Sequence, residues 1–195
     1  MTSQMSSEES ILAAAIGILQ HEGAGAMTVR SVAKAAGCST TGVYTWFGNK
    51  NGLVDAIFID GFQRFGQALA ATRRRPTRRQ HLSSLADTYR RWALANPTHY
   101  MVMFGGAVPD FVPSTAAILA ANATFEQLVA AIDLAAAEVQ FNGTPAEIAH
   151  HLWAGIHGYV SLELSGVDRA RNDAERARTF KAGLTRVMAG CVTAQ

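Results

Sequence analysis

The side chains best suited to binding chemistry lie in one segment, residues 28–50, which reads TVRSVAKAAGCSTTGVYTWFGNK. Its hydroxyl groups can donate hydrogen bonds to phosphate oxygens or to the edges of bases. The segment carries Arg30, Lys34 and Lys50 and no acidic residue, which favours a polyanionic partner. The hydroxyl-bearing side chains that we single out here are Thr28, Thr40, Thr41, Tyr44 and Thr45.

Catalytic and metal-binding patterns are missing from the sequence. We find no Ser-His-Asp or Cys-His order, no paired carboxylates and no glycine-rich phosphate loop. His150 and His157 are seven residues apart, whereas chelating histidines on a helix are usually four apart, and His151 points elsewhere. We therefore expect no enzyme activity, no metal and no cofactor.

Two short helices must position the hydroxyl-rich segment. Thr28 is a candidate N-cap for a helix over Val29–Ala36, and Ser39 or Thr40 for a second helix that reaches Phe47. Gly37, between them, permits the left-handed backbone of a helix-turn-helix. The second helix has few apolar residues and is short enough for a DNA major groove. An ordinary helix hairpin with a hydrated polar face is the alternative.

The rest of the chain predicts an all-helical protein of about nine helices. Apolar residues are 49% and charged residues 16% of the 195 residues, which excludes wholesale disorder. No apolar run approaches the roughly 18 residues of a membrane span, and we expect no signal peptide at the polar, acidic N-terminus. Cys38 and Cys191 fit no disulfide framework, so we expect reduced thiols and a cytoplasmic location.

Caps, prolines and glycines set the predicted helix boundaries. Ser6 with Glu9 suggests a capping box at the first helix, and Asn96-Pro97 begins a short helix. The arginine cluster at 73–79 contains Pro76 and predicts an interhelical loop. We expect helices at about 8–22, 29–36, 40–47, 50–72, 82–95, 97–104, 114–140, 145–165 and 173–191.

Residues 8–60 resemble the DNA-binding domain of TetR-type transcriptional regulators. The most specific feature is the spacing Tyr44-x-x-Phe47-x-x-Lys50-x-x-Leu53. The other matching residues are Ile11, Ala14, Ala15, Thr28-Val29-Arg30, Val32-Ala33 and Ala36-Gly37. The resemblance implies a DNA-binding domain over 5–65, an effector-binding and dimerisation domain over 66–195, and a homodimer that acts as a repressor or an activator.

Carried over by position, the resemblance implies which residues bind double-stranded operator DNA. Gly42 and Thr40 depart from the family pattern, and Arg30 is the best remaining base reader, so DNA shape should contribute much of the specificity. Cys38 replaces a usual valine and is expected to be a buried small residue. The implied DNA-binding residues are Thr28, Arg30, Ser39, Thr40, Thr41, Gly42, Tyr44, Thr45, Trp46 and Lys50.

The C-terminal half resembles the TetR subtype named for a Trp-His-Gly motif, in the stretch from Leu152 to Tyr159. Trp153 and His157 share a helix face and line either a ligand pocket or a core. The same alternatives apply to the other candidate pocket residues: His99, Met103, Phe104 and Phe125. Because residues 96–143 contain no lysine or arginine, we expect a small, apolar, neutral or cationic effector.

The last two helices are expected to form the dimer interface. Two apolar stripes suggest a four-helix bundle of two chains, although packing onto the protomer's own core is the alternative. The stripes are Ile148, Leu152, Ile156 and Tyr159, and Phe180, Leu184, Val187, Met188 and Cys191. The sequence thus predicts a ligand-responsive regulator, more a repressor than an activator. Its rivals are a DNA-binding protein without effector and a helical carrier or enzyme that keeps the helix-turn-helix only as fold.

Overall fold

The computed structural model describes residues 7–193 of the chain. Within that range the chain forms nine α-helices and no strand, which confirms the all-helical prediction. The predicted cap residue Ser6 lies outside the described residues. The helices are α1 Ser7–Glu22, α2 Val29–Ala36, α3 Thr40–Phe47, α4 Lys50–Ala70, α5 Arg78–Ala95, α6 Pro97–Phe104, α7 Thr115–Ala135, α8 Pro145–Leu164 and α9 Asp173–Gly190.

Local side-chain chemistry fixes the boundaries of α2 and α3. The Thr28 side chain accepts a hydrogen bond from the Ser31 backbone amide, and the Ser31 side chain accepts one from the Thr28 backbone amide, which makes a full capping box. Gly37 then ends α2 in the left-handed region with φ 68°. Ser39 caps α3 by accepting from the Gly42 amide, and Gly48 ends it with φ 71°. The turn between the helices therefore follows from three short sequence signals.

The helix predicted over 114–140 ends five residues early, at Ala135. The segment that follows pairs with the C-terminal end of the chain instead of continuing the helix. The Asn142 amide donates to the Cys191 carbonyl, the Thr193 amide donates to the Gln140 carbonyl, and Phe141 forms an isolated bridge with Val192. These non-local hydrogen bonds compete with the helix, and helix periodicity alone does not reveal them.

One helix start, at Arg78, and one helix cap, at Asn96, also differ from expectation. Arg78 and Arg79 lie in the first turn of α5 and not in the preceding loop. The Arg78 backbone amide donates to a carboxylate oxygen of Glu138 at 2.8 Å. Glu138, which is 60 positions away in the chain, therefore binds one of the amides that the start of α5 would otherwise leave without a partner. Asn96 occupies the N-cap of α6, but its side chain makes no capping hydrogen bond. Pro97 alone marks that helix start.

The chain divides into two compact units. The first contains the described residues up to 64 together with 96–121, and the second contains 65–95 together with the described residues from 122 onward. The cut falls inside α4 and inside α7. The division into a DNA-binding domain over 5–65 and an effector-binding and dimerisation domain over 66–195 stays a prediction.

Each unit has its own apolar core. In the first unit Ile11, Val32, Val43, Leu53 and Ile57 are at most 1% exposed. The core cluster of the second unit consists of Leu82, Ile132, Ala135, Ile148, Ala149, Leu152, Met188 and Cys191. The apolar stripes of the helices thus supply the buried residues of both cores.

The apolar stripes predicted for dimerisation lie mostly inside the protomer. Ile148, Leu152 and Ile156 are at most 5% exposed, and Phe180, Met188 and Cys191 are buried with them. Leu184 and Val187 pack against the same core cluster. Most of both stripes therefore packs onto the protomer's own core, which was the alternative, and a dimer through α8 and α9 stays a prediction.

Helix α7 corrects the expectation that no segment is apolar enough for a membrane span. By length and composition alone this helix could cross a membrane: its most apolar 18-residue stretch has a mean hydropathy of 1.4, and 17% of that stretch is buried. Its sequence nevertheless includes Asn122, Glu126, Gln127 and Asp133. Ala117, Thr124, Ile132 and Ala135 are buried against protein. Helix α7 therefore packs as part of the folded chain, and one such helix is weak evidence for a membrane.

Candidate nucleic-acid interface and effector cavity

Helix α3 presents an exposed surface of hydroxyl and aromatic side chains. Val43 is 1% exposed and anchors the helix to the core of the first unit. Tyr44 is 53% and Trp46 51% exposed, although large aromatic side chains normally avoid water. Ser39, Thr40, Thr41 and Thr45 are exposed as well, and Gly42 is half-buried. The arrangement leaves one face of α3 open to a partner.

Local structure occupies some of the predicted contact hydroxyls. Thr45 Oγ1 donates to the Thr41 carbonyl at 2.9 Å, and Ser39 Oγ accepts from the Gly42 amide at 3.1 Å. Thr28 Oγ1 donates to Ser31 Oγ and accepts from the Ser31 amide. These three groups retain only part of their hydrogen-bonding capacity. The hydroxyls of Thr40, Thr41 and Tyr44 have no hydrogen bond to any described residue, so they are the more available candidates for binding a partner.

The cationic residues near the exposed face of α3 differ in exposure and in the hydrogen bonds that they make within the protein. Arg30 and Lys34 are exposed on α2. Lys50, at the first position of α4, is half-buried, and its Nζ donates to the Ala24 carbonyl at 3.3 Å. An ammonium group has three donors, so Lys50 can hold the α1–α2 loop and still bind a phosphate oxygen. This contact fixes the position of the charge relative to α3.

Sequence reasoning missed a glycine that sets the angle between α3 and α4. A Cβ at Gly52 would overlap the Phe47 carbonyl oxygen at the end of α3. The Gly52 amide also donates to Asn49 Oδ1 at 2.9 Å, which caps α4. A glycine inside a helix start normally weakens it, and that penalty is the signal that could have drawn attention to Gly52. The absence of a side chain at Gly52 therefore lets the end of α3 lie close against the start of α4.

Three of the predicted ligand residues lie in the first unit, on α6. His99 Nε2 and Asp60 Oδ2 are 3.0 Å apart, and Arg64 Nε donates to the same oxygen at 2.7 Å. Burial alone would raise the pKa of Asp60, but the hydrogen bonds from His99 and Arg64 outweigh it and hold that pKa below its usual range. The packing is close, because a Cβ at Gly61 would lie 2.7 Å from Met103 Sδ.

The remaining candidates on α6 and α7 make aromatic contacts. Phe104 lies 5.3 Å from Phe62 in an edge-on arrangement, measured between ring centroids. In the second unit, Phe125 lies 6.0 Å from Trp153, which itself lies 6.0 Å from His157. These distances are ordinary for aromatic packing.

His157 is held between two hydroxyl groups of the second unit. Its Nδ1 lies 3.4 Å from the Tyr89 hydroxyl, and its Nε2 lies 3.3 Å from Ser161 Oγ. Burial lowers the pKa of His157 below its ordinary value, because desolvation disfavours the imidazolium. The neutral ring is therefore the favoured form at neutral pH, with one nitrogen donating and the other accepting.

A cavity of about 310 Å³ lies inside the second unit. Its wall is mostly leucine, isoleucine, alanine and methionine, with Arg79, Asp87 and Lys181 among its polar groups. None of the six predicted ligand residues lines it, although Tyr89 in the wall contacts His157. The full lining is Leu69, Arg79, Leu82, Ser83, Leu85, Ala86, Asp87, Tyr89, Gln127, Leu128, Leu152, Ile156, Lys181, Leu184, Thr185 and Met188.

The described residues contain no group of three or more His, Cys, Asp or Glu side chains that could hold a metal ion. Cys191 is buried, and burial raises the pKa of its thiol, which keeps it protonated. Cys38 is half-buried in the turn, with its Sγ 3.9 Å from the position of a Cβ at Gly42. Cys38 was predicted to be buried, and the structure leaves it partly exposed, because the turn between α2 and α3 lies near the surface.

Comparison with known protein families identifies both halves of the chain. Residues 11–57 match bacterial regulatory proteins of the tetR family. Residues 82–187, more than half of the chain, match the Tetracyclin repressor-like C-terminal domain. The chain belongs to the TetR family. It therefore has a DNA-binding helix-turn-helix domain. Members of this family are transcription regulators that bind DNA operators and form dimers, and they are not enzymes. A ligand-binding C-terminal domain is typical of them.

Several solved structures share this fold. A protein of unknown function from Rhodococcus sp. RHA1 is 23% identical, with a TM-score of 0.83 and 98% of each chain covered. A TetR family transcription regulator from Marinobacter aquaeolei VT8 is 18% identical, with a TM-score of 0.73 and 96% of each chain covered. No curated protein matches the chain. At these identities the solved structures establish the TetR fold alone.

Proposed function

We propose that this TetR protein is a cytoplasmic homodimeric repressor that a small-molecule effector releases from its operator. The observation that carries the DNA-binding part is the open face of α3, where Tyr44 and Trp46 are about half exposed while Val43 is buried. Two neighbouring aromatic side chains that are exposed in the free protein are typical of a surface that a partner covers in the complex. The hydroxyls and the cations around them select a phosphate-bearing partner.

The residues of the open face divide into positioning and reading groups. The free amides at the start of α3 and the Lys50 ammonium bind phosphates and fix the register on the duplex. The hydroxyls of Thr40 and Thr41 and the Tyr44 ring contact base edges and thymine methyl groups. Arg30 is the one side chain in the set that can bind a guanine with two hydrogen bonds. Groove shape supplies the remaining specificity.

Helix α4 is the element through which an effector acts on DNA binding. The helix runs unbroken from Lys50, beside the α3 surface, to Ala70, and its residue Leu69 lines the cavity of the second unit. An effector that fills the cavity changes the position of this end of α4. Release follows only when the effector binds the DNA-free arrangement more tightly than the DNA-bound one.

The dimer forms through the outward faces of α8 and α9. On α8, Ala154 and Leu162 are exposed and lie eight residues apart on one side, with the half-buried Gly158 between them. On α9, Ala182 and Ala189 are exposed on a comparable face. Small residues allow close approach of helices from two chains. Two helix-turn-helices then meet successive major grooves of a pseudo-palindrome.

The test is binding of the dimer to its operator, selected from the organism's genomic DNA and measured by fluorescence anisotropy. Tyr44→Ala and Lys50→Ala should each weaken binding, by about tenfold, which corresponds to the 1–3 kcal/mol of one good contact. Arg74→Glu, in the loop before α5, is the matched control and should leave the affinity nearly unchanged. Wild-type affinity in both contact variants would remove α3 from the interface, and no selectable operator would favour a helical carrier.

A further inference from the structure

A basic groove of about 490 Å³ adjoins the effector cavity within the second unit. It is formed by the end of α4, the loop that follows, α5 and α9. Asp87 is the only acidic side chain among the described residues that line it. Five cationic residues line the same groove: Arg73, Arg75, Arg90, Arg91 and Lys181.

Most of this positive charge is not neutralised within the protein. Arg90 is committed, because its guanidinium donates two hydrogen bonds to Glu163, at 2.8 and 2.6 Å. Arg75 and Arg91 instead donate to the neutral hydroxyls of Ser84 and Thr88, which orient the guanidinium groups without cancelling their charge. Arg73 makes no ion pair with any described carboxylate. The groove thus presents oriented guanidinium groups to an anion.

The groove and the cavity are two parts of one surface. Asp87 and Lys181 line both of them, and their charged groups lie 3.7 Å apart where the two meet. The cavity side is apolar, with Leu85, Leu128 and Leu184 in its wall. One ligand can therefore place an apolar part in the cavity and an anionic part in the groove.

We propose that the effector is an amphipathic anion that carries a phosphate-type head group on an apolar chain. This inference rests on the proposed function, in which the second unit binds the effector. Guanidinium groups match phosphate oxygens with paired hydrogen bonds, and a dianion gains from several of them at once. The cavity accommodates on the order of ten chain atoms, if each takes about the 30 Å³ of a water molecule.

This ligand class reverses the expectation from the sequence of a neutral or cationic effector. That expectation used the absence of lysine and arginine from residues 96–143. The cavity is instead built mainly from residues of 69–89 and 181–188, and the arginine cluster of 73–79 supplies much of the charge. The net positive groove repels a cationic ligand and attracts an anionic one.

The first test is isothermal titration of the full-length protein with decyl phosphate below its micelle concentration. Decyl phosphate should bind at least about tenfold more tightly than decanol, inorganic phosphate or decyltrimethylammonium, and added salt should weaken its binding. Equal binding of decanol, tighter binding of decyltrimethylammonium, or equal binding of inorganic phosphate would each overturn the proposed ligand class. No binding of decyl phosphate would overturn it as well.

Variants locate the two parts of the ligand. Arg73→Gln with Arg75→Gln should weaken decyl phosphate binding at least tenfold, whereas the matched pair Arg169→Gln with Arg171→Gln, exposed in the loop before α9, should not. Ser83→Trp, at an exposed position in the cavity wall, should block the chain. Thermal denaturation of each variant must match the wild type. Unchanged binding in both the groove pair and Ser83→Trp would contradict the placement.

Operator binding separates a failure of this inference from a failure of the proposed function. A protein that binds its operator but not decyl phosphate would refute the ligand class alone. A protein that binds decyl phosphate but no operator would refute the repressor and keep the ligand site.

Discussion

Among single residues, glycines matter to the candidate DNA-binding face of α3 as much as the exposed aromatic residues do, because they set the position of the helix. Gly52 has no apparent role in sequence, yet a Cβ there would overlap the backbone of Phe47. By contrast, Gly17 lies in α1, and a Cβ at that position would have no neighbouring atom within 4 Å outside its own helix turn. The two helical glycines therefore have opposite predicted responses to the same substitution.

Gly52→Ala should destabilise the protein and weaken operator binding, because the end of α3 must move away from α4. Gly17→Ala should stabilise it by about 0.5–1 kcal/mol, since alanine is the better helix former. Thermal denaturation and fluorescence anisotropy measure both effects. Equal behaviour of the two variants would show that the close contact at Gly52 does not constrain α3.

His157 should make stability depend on pH in the mildly acidic range. Its pKa is lower in the folded protein than in the unfolded chain, so the unfolded state binds more protons as pH falls through the unfolded value near 6.5. Stability from this group is present above that pH and is lost below it. The melting temperature of wild type should fall between pH 7 and 5 more steeply than that of His157→Gln. Parallel profiles would assign no such role to His157.

At the scale of elements, the helix boundaries and the turn were predictable because short-range chemistry decides them. Thr28, Gly37 and Ser39 cap or end their helices by contacts within five residues. The early end of α7 and the Glu138 contact at the start of α5 were not predictable, since they depend on residues about 50 to 60 positions away. The candidate DNA contacts could be chosen from the sequence, but the cavity could not, because its wall combines five helices.

The pair Arg90–Glu163 should be the main polar contact that holds α5 to α8. Both side chains are at most 15% exposed, and two hydrogen bonds join them. Glu163→Gln should cost about 3 kcal/mol, because it leaves a buried guanidinium without a counter-charge. Arg64→Gln breaks a pair within α4 in which the arginine side chain is 60% exposed and Asp60 keeps its contact with His99, so it should cost under about 1 kcal/mol. Chemical denaturation measures the free energy of unfolding of both variants. Similar costs would contradict the idea that burial makes the Arg90–Glu163 pair the stronger one.

At the scale of the whole molecule, the proposed repressor requires two chains. Most of the apolar residues of α8 and α9 pack inside the protomer, so the proposed association uses their outward small residues. Phosphate binding at two half-sites also multiplies the salt dependence of operator affinity. A protein that functions as described is therefore a dimer at the concentrations at which it binds DNA.

Ala154→Arg should convert the dimer to monomers, because it places a charge and a long side chain in the middle of the outward face of α8. Ala137→Arg, exposed in the turn after α7, is the control and should remain dimeric. Sedimentation velocity distinguishes the two. If both stay dimeric, the interface lies elsewhere on the chain.

Hydrogen–deuterium exchange of the protein with and without its operator tests directly whether the face of α3 contacts DNA. Operator DNA should slow exchange of the amides of residues 39–50 and leave the arginine loop at 73–75 unaffected. Unchanged exchange over 39–50 in a saturated complex, with protection at the arginine loop instead, would contradict this contact.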